Sequence, residues 1–122
     1  MPLFMTLTKF TEEALAAMTQ RPSNRPEAMA KVIEAHGGKV IDFYWTFGDA
    51  DVITIYEAPS NQAAMAMVMS LSAGGAVSSH KTSTLISNDD AMAAMKMAGS
   101  VETGYTSPVA EWKGWRDEGG EA

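Results

Sequence analysis

GGKVIDFYWTFGDADVITIYEAP, Gly37 to Pro59, is the stretch whose reading decides the fold. Two runs rich in β-branched and aromatic residues, Val40 to Phe47 and Val52 to Ala58, flank Gly48-Asp49-Ala50-Asp51, whose residue types supply turn chemistry. The segment therefore reads as a β-hairpin. Alternation divides the first strand into Ile41, Phe43, Trp45 and Phe47 against Val40, Asp42, Tyr44 and Thr46, and the first set is the better face for packing helices. On the return strand Ile53 and Ile55 extend that face, while Val52, Thr54 and Tyr56 point the other way. Asp49 and Asp51 read as turn formers that bond nearby backbone amides, in preference to metal ligands.

Upstream of the hairpin, Met29, Val32, Ile33 and His36 fall at i, i+3, i+4 and i+7, which predicts a helix from Pro26 to His36 that Gly37-Gly38 terminates. Arg21-Pro22-Ser23-Asn24-Arg25-Pro26 separates it from a shorter helix capped by Thr11, with Glu12 and Glu13 in the first turn. Leu3 to Lys9 alternates as a first strand. Downstream, Ser60 caps a helix from Asn61 to about Ser72 whose buried stripe is Ala64, Met67, Val68 and Leu71, and Gly74-Gly75 ends it. Val77 to Ile86 has no helical period and reads as a fourth strand, with Ser78, His80, Thr82, Thr84 and Ile86 on one face; Lys81 and the many hydroxyls suit an edge or an intersubunit seam. Ser87 and Asp90 open a last helix, Ala91 to Ala98.

Strand, helix, strand, strand, helix, strand and a terminal helix give an α+β, ferredoxin-like βαββαβ fold with a four-stranded antiparallel sheet. Helices cover the aliphatic face and leave the half-polar face open. A second copy is the economical cover, which implies a homodimer or higher homo-oligomer enclosing a barrel between two sheets. Residues 1–98 form the domain. Residues 99–122 read as a partly irregular extension whose aromatics, Tyr105, Trp112 and Trp115, dock on the body or on a second subunit.

Composition narrows the function classes. The chain has 122 residues, 46% of them hydrophobic, enough for one domain with a core and no need of staples. With no cysteine, thiolate chemistry and disulfides are excluded. A net charge of −6, with nine scattered Lys and Arg, argues against nucleic acid. No apolar run is long enough for a membrane span and no leader pattern opens the chain, so a cytoplasmic protein is expected. The ten methionines are expected to fill core gaps.

Leu7-Thr8-Lys9-Phe10-Thr11, Gly37-Gly38-Lys39, Phe43-Tyr44, Gly48-Asp49-Ala50-Asp51-Val52 and Glu57-Ala58-Pro59, in that order and spacing, resemble the GYD domain family of the dimeric α+β barrel superfamily, over about residues 1 to 98. The naming motif is Gly, one residue, then Tyr-Asp. Gly48 and Asp51 match it, and Ala50 stands in place of the tyrosine. The resemblance implies a dimer with a barrel between its sheets. Superfamily relatives include cofactor-free monooxygenases on polycyclic phenols, muconolactone-type isomerases and haem-dependent enzymes; none of their site motifs matches this chain, so no catalytic residue is transferred.

The residues themselves offer His80, Asp42 and Tyr44 as candidates for catalysis, and Tyr44, Thr54, Tyr56, Thr6 and Thr82 as candidates for binding a ligand. A carboxylate, two phenols and hydroxyls converging on an apolar chamber make a small-molecule pocket. His80 is an acid or base near neutral pH if its strand face lines the barrel, and an interface histidine otherwise. His36 reads as a helix C-terminal residue stabilised by the dipole. Two distant histidines without HxH or HExxH spacing imply no metal site, and no cofactor is implied. The expected function is binding of a small apolar or phenolic molecule, with cofactor-independent turnover open; the alternative is a non-catalytic binding or oligomerisation module.

Overall fold

The computed structural model describes residues 1–117, with side chains through Lys113. It divides into two compact units, Met1–Ile86 and a second that starts at Ser87. The first contains β1 (Leu3–Phe10), α1 (Glu12–Gln20), α2 (Arg25–Ala35), β2 (Lys39–Trp45), β3 (Val52–Glu57), α3 (Asn61–Ala73) and β4 (Val77–Leu85). The second contains α4 (Asn88–Ser100) and α5 (Pro108–Asp117). The four strands form one antiparallel sheet in the order β2-β3-β1-β4. This is the expected α+β, ferredoxin-like architecture, with β4 on an edge.

Local signals account for the helix starts. Thr11, Asn24, Ser60 and Ser87 each accept a hydrogen bond from the backbone N–H three residues on, which satisfies one of the donors a helix leaves free at its first turn. His36 caps α2 from its other end, with its Nδ1 2.8 Å from the Val32 carbonyl.

In β1 and β3 the faces are the reverse of the expectation, whereas in β2 Phe43 and Trp45 do lie on the helix-covered side and Asp42 and Tyr44 on the open one. Phe4, Thr6, Thr8, Phe10, Val52, Thr54 and Tyr56 are buried, whereas Leu3, Met5, Leu7, Ile53 and Ile55 are half-buried on the opposite side. Phe4 and Tyr56 stack with ring centroids 5.8 Å apart and form one core cluster with Ile33 of α2 and Ala64 and Met67 of α3. The aromatic and threonine face therefore receives the helices, and the aliphatic face is the open one. Aromatic rings supply the bulk that two layers need, and hydrogen bonds between neighbouring side chains dispose of the hydroxyls.

Two bulges shift the alternation. In β2, Val40 pairs with Tyr56 and Asp42 with Ile55, so Ile41 is the extra residue and Phe43 and Trp45 change sides. Trp45 lies opposite Val52 and contacts Phe10 on the helix-covered face, while Asp42 and Tyr44 lie with Ile55 and Ile53 on the open face. In β4 the slip falls at Ser78, between Ser79 opposite Lys9 and Val77 opposite Phe10.

One further expectation is corrected. Only Met29 and Met67 of the methionines are buried; Met1, Met65, Met69, Met92, Met95 and Met97 are exposed, because α3 and α4 carry methionine around more of their circumference than a core stripe requires. The irregular stretch ends at Ser107, which accepts from the Ala110 N–H and opens α5 with Pro108 at its first position and Glu111 in its first turn. Tyr105 is exposed, and the side chain of Trp115 lies outside the described residues.

Gly37 takes a φ of 82° to turn the chain out of α2. Gly38 has a different task, because a Cβ there would run into the Glu57 carbonyl and lie 2.8 Å from Met67 Cε and 3.0 Å from Ile33 Cγ2. Gly38→Ala is expected to lower stability by about 3 kcal/mol or more in urea unfolding, as backbone cannot yield like a side-chain tip. Gly75→Ala, at a φ of 80° with open space around it, should cost only about 1 to 2 kcal/mol.

Candidate functional site

The helix-covered face of β4 presents His80, Thr82 and Thr84, opposite Thr8, Thr6 and Phe4 of β1. Between these residues and α3 lies a cavity of about 330 Å³ lined by Phe4, Asn61, Ala64, Met65, Val68, His80, Thr82 and Thr84. One wall is apolar, supplied by Phe4 and by alanine, methionine and valine of α3. The other is the imidazole and hydroxyl row of β4.

Two separate hydrogen-bonded groups of side chains lie behind that wall. Thr6 Oγ1 is 2.8 Å from Tyr56 Oη and 2.9 Å from Thr82 Oγ1, which links β3, β1 and β4 across the sheet. Thr8 Oγ1 is 3.0 Å from His80 Nδ1 and orients the ring. His80 Nε2 is buried and has no hydrogen-bond partner. With one nitrogen held and the other unsatisfied, the imidazole either accepts or donates at Nε2 according to its tautomer. Burial lowers the His80 pKa from the ordinary histidine value, so the neutral ring is favoured.

The sheet separates the residues singled out in the sequence into two groups. His80 and Thr82 border the cavity. Thr6, Thr54 and Tyr56 are on the same face but deeper, around a void of only about 10 Å³ shared with Met29, Ile33 and Met67. Their hydroxyls bond neighbouring side chains, Thr54 making a long 4.0 Å contact to Met29 Sδ. Asp42 and Tyr44 are exposed on the opposite face of edge strand β2, with Tyr44 Oη 3.4 Å from Asp42 Oδ1. The two tyrosine hydroxyls thus do not share a chamber. Thr8, Phe4 and Asn61 are not among the site candidates read from the sequence, and Val68 stands there only in the α3 stripe; the pairing of β1 with β4 places Thr8 beside His80.

The hairpin turn is tied down from below. Asp51 Oδ2 accepts from the Phe10 N–H at 2.9 Å, and Oδ1 lies 3.2 Å from Lys9 Nζ. Its backbone N–H donates to the Thr8 carbonyl and its carbonyl accepts from the Thr46 N–H, each at 2.8 Å. Asp51 therefore joins β1 to both arms of the hairpin. Among the described residues, no three of His, Asp or Glu gather to hold a metal ion.

The model of the GYD domain matches residues 4–95, a span that runs from Phe4 through the Asp51 clamp and β4 into α4. The chain belongs to the GYD domain family. GYD proteins have the dimeric α+β barrel fold. In this GYD protein Asp51 of the naming motif is the residue that holds the hairpin, and Ala50 leaves no phenol at the turn. Among solved structures the chain is similar to the crystal structure of MtbAldR, with 16% identity, a TM-score of 0.52 and coverage of 71% of this chain. It spans about half of that protein, 54% of its length, and the likeness is one of fold. No curated protein matches the chain.

The His80 environment makes a pH prediction. The folded state disfavours the imidazolium, so between the folded pKa and the unfolded value of about 6.5 the unfolded chain binds more protons. This contribution to stability is complete above about pH 6.5 and is lost as pH falls through the folded value. Urea unfolding across this range should show that loss, and His80→Gln should lack it; equal pH slopes for the two proteins would exclude the effect.

Proposed function

We propose that this GYD protein is a homodimer that binds a small, mostly apolar molecule with one polar group, of the phenolic kind, in the cavity between α3 and β4. The observation that carries the reading is the buried, unpartnered Nε2 of His80 beside a cavity with one apolar wall. An unsatisfied buried polar atom costs about 1 to 3 kcal/mol, and a ligand hydroxyl delivered to it removes that cost. The volume suits a one- or two-ring compound. Met65, Val68 and Phe4 receive the ring, and Thr82, Thr84 and Asn61 offer further polar contacts. A neutral imidazole with its proton on Nδ1 accepts a hydrogen bond from a bound phenol at Nε2, an interaction that needs no metal or cofactor.

The open sheet face supports the dimer. Leu3, Met5, Leu7, Ile53 and Ile55 are contiguous through the pairings Met5 with Ile55 and Leu7 with Ile53, and an aliphatic patch of this kind is characteristic of an interface. Asp42 and Tyr44 lie at its margin, so any part they play belongs to the barrel between the two sheets and not to the His80 cavity.

A library of small phenols and quinones, screened by thermal shift and then by amide chemical shifts, tests the binding. A binder should raise the melting temperature and move the resonances of Ala64, Val68 and Thr82, and His80→Phe should abolish both effects. A library without such a compound would favour a purely assembling module. For the dimer, sedimentation should give twice the chain mass, and Ile53→Asp should give a folded monomer; a monomeric wild type rejects the assembly.

A further inference from the structure

A second cavity, of about 340 Å³, lies at the other end of the helix-covered face, where Phe10 of β1 meets α1 and the loop into α2. Phe10, Ala14 and Met18 give it an apolar floor, and Arg21, Ser23 and Arg25 line its opening. Phe10 is buried, Ala14, Met18 and Arg25 are half-buried, and Arg21 and Ser23 are exposed.

Arg25 Nε is buried without an acceptor. Among the described residues Lys9 and Asp51 form the one ion pair, so neither Arg21 nor Arg25 has a carboxylate partner, although the chain carries 15 acidic residues against nine basic ones. Leaving a guanidinium N–H buried and unpaired is costly, and an oxyanion such as a carboxylate presents two oxygens that match its fork. Arg25, Arg21 and Ser23 supply donors for an oxyanion, and the floor supplies no polar side chain, so the lining calls for a ligand with an apolar body, which inorganic phosphate lacks. Apolar floor and cationic opening describe an amphiphile.

We propose that this cavity binds an organic monocarboxylate, its short apolar body against Phe10, Ala14 and Met18 and its carboxylate on Arg25, with Arg21 and Ser23 as further donors. The site is distinct from the His80 cavity and shares no lining residue with it.

Amide chemical-shift titration of the full chain with octanoate tests the proposal, with octanol and inorganic phosphate as separate arms. Octanoate should shift Ala14, Met18 and Ser23 saturably, and binding should weaken with added salt. Arg25→Gln should raise the Kd about tenfold or more, and Arg21→Gln, at an exposed position that leaves the fold intact, several-fold. Octanol binding as well as octanoate would reduce the site to an apolar crevice, and phosphate binding as well would reduce it to an anion patch; either overturns the proposal. Unchanged affinity in both arginine variants overturns it too, as do shifts confined to Ala64, Val68 and Thr82, which would place octanoate in the His80 cavity.

Discussion

Three threonines under the helices would be a liability if their hydroxyls had nowhere to go. Thr6, Thr8 and Thr54 are each nearly inaccessible, and each is relieved by a neighbour on the same face of the sheet: Tyr56 and Thr82 for Thr6, His80 for Thr8, the Met29 sulfur more weakly for Thr54. A hydroxyl buried without a partner costs more than a made hydrogen bond returns, so each threonine needs its own neighbour. Strand register provides two of these neighbours, because antiparallel pairing puts Thr6 beside Thr82 and Thr8 beside His80. The same constraint produces the candidate site. Thr8 holds one imidazole nitrogen, and the other is left unpartnered beside the cavity.

Much of this fold is legible in the sequence. The hairpin, the helix caps at Thr11, Ser60 and Ser87, and the edge position of a hydroxyl-rich last strand all follow from local chemistry that tertiary context did not override. The orientation of the sheet was not legible, and the reason is physical. Ile41 in β2 and Ser78 in β4 are extra residues that reverse parity along their strands, while in β1 and β3 the alternation holds and does not say which face the helices take. Hydrophobicity misleads as well: Leu3, Met5, Leu7, Ile53 and Ile55 are the more aliphatic set, yet a threonine whose hydroxyl is bonded sideways packs under a helix much as a valine does.

The candidate site was legible to a lesser degree. His80, Thr82, Thr6 and Tyr56 stand out by residue type, and the structure gathers them on one face. Asp42 and Tyr44 stand out equally and fall on the other side, because the Ile41 bulge lies between them and the start of β2. The cavity itself, with Asn61 and Val68 from α3 opposite β4, depends on the packing of a helix over a distant strand, and no periodicity within either segment reports it. At the turn, family pattern and chemistry agree on Asp51 alone. The clamp it makes between Lys9, Phe10 and the hairpin uses no side chain at position 50, which is consistent with alanine there.

The two bulges also bear on how the sheet meets other chains. β2 and β4 are its outer strands, and each carries an extra residue that breaks the register with its inner neighbour and bends and twists the strand there. An incoming strand needs a regular edge to extend a sheet in its own plane, and a bulge that twists the edge away denies it one. Growth by edge addition, the route to fibrils, is therefore obstructed at both margins, while the smooth aliphatic surface of Leu7, Ile53 and Ile55 remains open to stacking. The sheet is closed sideways and open in depth, a geometry that favours finite assemblies over runaway ones.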